Sequence, residues 1–177
     1  MLTEFLRDHA FTIAWFGLMA FVWLGWSQEA PPTWMRPILG LGSILGLGLA
    51  VWFGIQVARN WSEPSALEGR YHWFGVLVLA EVLAAGIGCL VLARRKKGRW
   101  MAWWVALVVA LHFIPLSFLL ADATINVLGV LQAAVLLGLV PVLRRGDRPT
   151  SRVAGPVMGF SLLAYAVVSA IVYLALR

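Results

Sequence analysis

Six apolar stretches, each long enough to cross a bilayer when wound as a helix, leave this chain few folds to choose from. They occupy residues 10–27, 37–58, 71–93, 100–120, 123–143 and 153–176. Hydrocarbon offers no hydrogen-bond partner to an open backbone, so runs of this kind read as transmembrane α-helices. The expected fold is therefore an all-α, polytopic transmembrane helix bundle of six spans, with residues 1–177 forming one integral membrane domain. Composition agrees: 62% of residues are hydrophobic and 12% charged, against roughly 45–50% and 25% in soluble domains. The connections are too short to hold a separate soluble catalytic domain.

The polar segments punctuate the spans. Pro31 and Pro32 end the first, Arg59 and Asn60 the second, and residues 61–70, with Pro64 and Gly69, form the longest loop. Trp100, Trp103 and Trp104 at the start of span four read as an interfacial belt. Asp122 marks a tight turn between spans four and five, a pair short enough in connection to suit a re-entrant hairpin as well as two crossings. Glu4, Arg7 and Asp8 give a charge-balanced start without the basic region of a secretory signal, so the first run is expected to remain as a span.

The net charge of +6 would suggest nucleic acid in a soluble protein. Here the basic residues sit in short loops, and membrane topology explains them without a nucleic-acid partner. The loops after spans one, three and five hold ten of the 14 lysines and arginines; Arg7, Arg59, Arg70 and Arg177 are the other four. The bias of positive charge toward the cytoplasm then implies that both chain ends lie outside and the basic loops inside. Anionic lipid at those loops is the partner expected besides the bilayer itself.

Four spans carry a polar residue near mid-depth. Glu81 lies thirteen residues before Arg94 and His112 thirteen after Arg99, which puts both about 20 Å from the basic loop at 1.5 Å per residue. A short loop makes spans three and four antiparallel neighbours, so a carboxyl and an imidazole at one depth can meet if both helices turn the right faces inward. Gln132, twelve residues before Arg144, and Tyr165, thirteen after Arg152, fall in the same layer. A charge at the bilayer centre costs at least about 2.5–3.5 kcal/mol, so Glu81 is expected to be protonated, paired or facing water. Glu81 and His112 suit a proton relay or ion-binding pair; a structural clasp fits them equally. Gln132 and Tyr165 taken singly favour structural roles. Pro115, three residues past His112, frees the carbonyl of Leu111 and bends span four beside the imidazole.

Span two places Gly42, Gly46, Ala50 and Gly54 four residues apart, a small-residue groove for close helix packing, either within the chain or in a homo-oligomer or partner subunit. Ser161, Tyr165, Ser169 and Tyr173 form a polar stripe of the same period on span six. His9 and His72 fall near the ends of their spans, where water or headgroups satisfy imidazoles. With His112 half a membrane away and no HExxH, no zinc, haem or other cofactor is expected. Cys89 alone allows neither a disulfide nor a CxxC pair. No GxSxG elbow or phosphate-binding loop is present, so enzymatic activity has little support.

The stretches EFLRDHAFTIAWFGLMAFVWLGW near the start and WVALVVALHFIPLSFLL in span four resemble segments of small bacterial membrane proteins of an actinobacterial type, a family without an assigned activity. The resemblance implies a multi-pass protein of the bacterial inner membrane and transfers no functional residue. Three functions stay open from sequence: a proton- or ion-coupled transporter built on Glu81 and His112, a non-catalytic partner subunit or scaffold docking through span two, and an intramembrane enzyme acting on lipid.

Overall fold

A computed structural model describes residues 5–176; Glu4 and Arg177, which entered the charge pattern above, lie outside the described residues. The helices are α1 (Leu6–Trp26), α2 (Met35–Arg59), α3 (Tyr71–Arg94), α4 (Met101–Leu119), α5 (Ala123–Gly138), α6 (Val140–Arg144) and α7 (Ser151–Ala175), with single 3-10 turns at Ser27–Glu29 and Gly98–Trp100. Counting α5 and α6 together, six are long and apolar enough to cross a membrane. Most are apolar on every side, as helices bounded by lipid and by other helices must be.

Two boundaries differ from the sequence reading. Span one begins at Leu6 rather than residue 10, because Arg7 and Asp8 are satisfied locally. The Arg7 guanidinium donates to the carbonyl of Trp61 and the hydroxyl of Tyr71, and the Asp8 carboxylate accepts from Ser65 Oγ (2.9 Å) and the Ala66 amide (2.7 Å). Span five is not one helix: it breaks at Leu139, since Pro141 has no N–H to donate to the carbonyl of Leu137.

α1 occupies the centre of one half, packed against α2 and α7; α4 centres the other, packed against α3 and α5, and α7 joins the halves. The glycine stripe of α2 explains the first packing. Gly42 and Gly46 are buried, and a Cβ on Gly46 would stand 2.6 Å from the carbonyl oxygen of Gly17, so the two backbones touch. Ala50 is half-buried beside Gly17, and Gly54 is open, with nothing within 4 Å. The stripe thus serves packing inside the chain over its first half. Against α4, Gly129 brings α5 onto the carbonyl of Ala110 in the same way.

The two ends of the bundle are tied by different chemistry. At the end bearing the basic loops, the Thr150 amide and hydroxyl donate to the carbonyl of Arg99 (2.9 and 2.7 Å), and Ser151 donates to the Glu29 carboxylate (2.5 Å). Arg99 itself reaches the carbonyls of Gly146 and Leu143. At the opposite end the α4–α5 connection is a full turn between two antiparallel crossings, not a buried hairpin. The Asp122 amide donates to Ser117 O (2.9 Å), with Ala121 at φ +53°. A left-handed alanine is strained where glycine is not, so Ala121→Gly is expected to raise stability by about 0.5–1 kcal/mol, read as a higher unfolding temperature in detergent.

Candidate functional site

The register of α3 on α4 is set by Trp104. Its indole N–H donates to the carbonyl of Ala84 (3.0 Å), and its ring lies against Gly88, where a side chain would have no room. Moving eight residues along α4 from Trp104, and seven back along α3 from Gly88, reaches His112 and Glu81 on the same seam. There His112 Nε2 stands 3.6 Å from a carboxylate oxygen of Glu81. The juxtaposition that equal depth allowed is present, and the helix rotation that sequence left open is the one that turns both groups together.

The imidazole is oriented from its other side. Nδ1 lies 3.4 Å from the carbonyl of Val109. A carbonyl only accepts, so the proton belongs on Nδ1, and Nε2 presents its lone pair to the carboxyl group. The pair is mostly covered, with side-chain exposures of 11% for His112 and 20% for Glu81. One proton shared between the two groups leaves them neutral together, whether held as carboxylate and imidazolium or as acid and imidazole. That is the state a low-dielectric setting tolerates.

Along the seam, the two sides of the pair are unlike. Toward the opposite end from the basic loops, an open groove of about 540 Å³ runs between α3 and α4, lined by Arg70, Trp73, Leu77, Ala80, Pro115 and Leu119. Ala80 adjoins Glu81 in sequence and Pro115 lies three residues past His112, so this groove ends within one turn of the pair. α4 continues as a helix through Pro115. Toward the basic loops, Trp104 fills the seam, and a second groove of about 800 Å³ opens beyond it.

Gln132 and Tyr165 do not join the pair. The Gln132 amide donates to Ser161 Oγ (2.6 Å) between α5 and α7, and Ser161 in turn donates to the carbonyl of Val157. Tyr165, on α7, reaches the end of the bundle away from the basic loops, where its hydroxyl donates to Asp122 Oδ2 (3.1 Å) and lies 2.7 Å from Thr124 Oγ1. Loop counting gives the depth of a Cα, whereas a tyrosine hydroxyl ends more than a helical turn away from its own. Asp122 was legible only as a turn residue. In the structure it caps α5 by accepting from the Thr124 amide (3.0 Å) and hydroxyl (2.6 Å). Burial favours its neutral form, but the hydrogen bonds it accepts, those from Thr124 among them, outweigh this and hold the carboxyl below the ordinary aspartate value.

The histidines separate. His72 is exposed, as its position at a span end suggested. His9 is not: it is buried in α1 with its ring edge-on to Tyr173, centroids 5.4 Å apart, because α1 is the central helix of its half. Among the described residues, no three His, Cys, Asp or Glu side chains are grouped as metal ligands. No family model matches the chain, nor does any curated protein or solved structure, so the site's chemistry rests on its own residues.

Proposed function

We propose that this protein moves protons, alone or coupled to a small cation, across the membrane along the α3–α4 seam, with Glu81 and His112 as the exchange site. The observation that carries the reading is the carboxyl–imidazole pair at 3.6 Å within two apolar spans, one turn from an open groove. Two groups that ordinarily titrate on either side of pH 5 can pass one proton between them without leaving net charge in the bilayer. Trp104 closes the seam on the other side of the pair, an arrangement suited to alternating access. By the charge bias of the loops, the basic end faces the cytoplasm of a bacterial inner membrane and both chain ends face outward.

Proton flux in proteoliposomes carrying an entrapped pH-sensitive dye tests this. Glu81→Gln and His112→Ala are each expected to lower flux at least tenfold at equal incorporation. Wild-type flux that survives both substitutions removes the pair from the mechanism. A folded wild type that passes neither protons nor common cations favours a second reading, a partner subunit. That alternative draws on α3, which has no buried residue and packs substantantially only on α4, leaving its outer side free for another helix.

A further inference from the structure

The groove beyond Trp104 has a chemistry of its own. It lies between α3, the start of α4 and α6, and its volume of about 800 Å³ is divided between two kinds of lining. Its deeper part is apolar, formed by Gly88, Val91, Leu92 and Val140. Its mouth carries Lys96, Lys97 and Arg144, with Trp100 and Trp103 at the boundary. From Gly88 to Arg94, the end of α3, is six residues of helix, about 9 Å, and Lys96 lies in the turn just beyond.

The cations at the mouth are uncommitted. Arg99, which also lines the groove, is engaged with the carbonyls of Gly146 and Leu143 and rests over the Trp100 ring. Among the described residues, the side chains of Lys96, Lys97 and Arg144 form no hydrogen bond or ion pair with the protein. Lys96 is further held at φ +54°, at the helix end where the Lys97 amide closes back on Leu92 O (2.8 Å). Glycine is the usual residue at such a position, and a side chain there costs about 1 kcal/mol. The strain places a third cation beside Lys97 and Arg144.

We propose that this groove is a binding site for an anionic phospholipid of the adjoining leaflet. The phosphate is held by Lys96, Lys97 and Arg144 at the mouth, and the upper part of one acyl chain lies along Gly88, Val91 and Val140. Charge complementarity selects the head group, and the apolar slot continues from the mouth toward the membrane interior, as a lipid does. A zwitterionic lipid fits the slot but brings its own cation to the three on the protein. The site is independent of the translocation reading, since none of these residues is Glu81 or His112.

Native mass spectrometry of the delipidated full chain in detergent tests the proposal, with dioleoylphosphatidylglycerol and dioleoylphosphatidylcholine as probes of identical chains. One phosphatidylglycerol is expected to stay bound at least tenfold more tightly than phosphatidylcholine. The combined Lys96→Ala, Lys97→Ala and Arg144→Ala variant should bring the two lipids within threefold of each other. The combined Arg94→Ala, Arg95→Ala and Arg148→Ala variant removes as much charge from the same end but outside the groove, and should leave the preference intact. Equal binding of the two lipids by wild type, or equal loss in both triple variants, overturns the site in favour of diffuse charge. Displacement of phosphatidylglycerol by inorganic phosphate at matching concentration overturns the lipid assignment. If the first triple variant does not fold, Val140→Trp fills the slot without touching a charge; it should weaken both lipids, and unchanged binding refutes the groove.

Discussion

Gly46→Leu is expected to cost about 3 kcal/mol or more and to leave little folded protein after extraction in mild detergent. The obstacle to a side chain at Gly46 is backbone: Gly17 O at 2.6 Å and Phe21 N at 3.2 Å from the position of a Cβ. Neither can rotate away as the end of a flexible side chain can, so α1 and α2 must separate along their whole contact. α1 is also packed on α7, and displacing it disturbs the half of the bundle that includes Leu24, Leu162 and Tyr173. Gly54→Leu provides the contrast on the same helix. With nothing within 4 Å of that position, the change is expected to stay within about 0.5 kcal/mol of wild type. Thermal unfolding followed by tryptophan fluorescence separates the two, and a Gly46→Leu protein that melts with wild type refutes the α1–α2 contact. Oligomer size adds a second use: if α2 also docks another copy, Gly54→Leu lowers the oligomer without lowering the melting temperature.

The spans were legible because the bilayer makes each crossing nearly a local problem: enough apolar residues in a row, then something polar to stop. The break in span five was not read, because the apolar run continues without interruption on both sides of Pro141. The depth match of Glu81 and His112 was legible for a related reason, since the short loop between α3 and α4 fixes how far each residue lies from the turn. Their meeting was not, because a helix apolar on every side gives no sign of which face it turns inward. That rotation is settled by Trp104 seating against Gly88, a contact between two spans. The same gap explains His9. Its place near a span end suggested water, but α1 is central, and centrality follows from the close approach of Gly17 to Gly46, which no single span reveals. Tyr165 was assigned by its Cα depth and went instead where its hydroxyl found Asp122.

Asp122→Ala is expected to destabilise the protein by about 2–4 kcal/mol, combining the loss of an N-cap, about 0.5–2 kcal/mol, with the loss of charge-assisted hydrogen bonds, about 1.5–3 kcal/mol. Asp122 is 1% exposed and makes three contacts that join two helices: it caps α5 through the Thr124 amide, binds the Thr124 hydroxyl, and anchors α7 through Tyr165. Truncation leaves the Thr124 amide without its cap and, at this end of the bundle, reduces the polar α5–α7 link to the contact between Thr124 and Tyr165. Asp122→Asn keeps an oxygen for the cap but loses the charge and puts an amide NH2 where the Tyr165 hydroxyl donates, so it should cost about 1–2 kcal/mol. The difference between wild type and the asparagine variant carries a pH signature. The folded carboxyl titrates below its ordinary value, so its stabilisation is complete above the unfolded aspartate value of about 3.9 and disappears as pH falls through the lower folded value. The wild-type advantage over Asp122→Asn should therefore be constant from about pH 5 to 7 and shrink below about pH 4. Chemical unfolding of both proteins across that range is the measurement. An advantage that grows on acidification would mean that Asp122 is held as the neutral acid, and that the cap and the Tyr165 anchor depend on its proton.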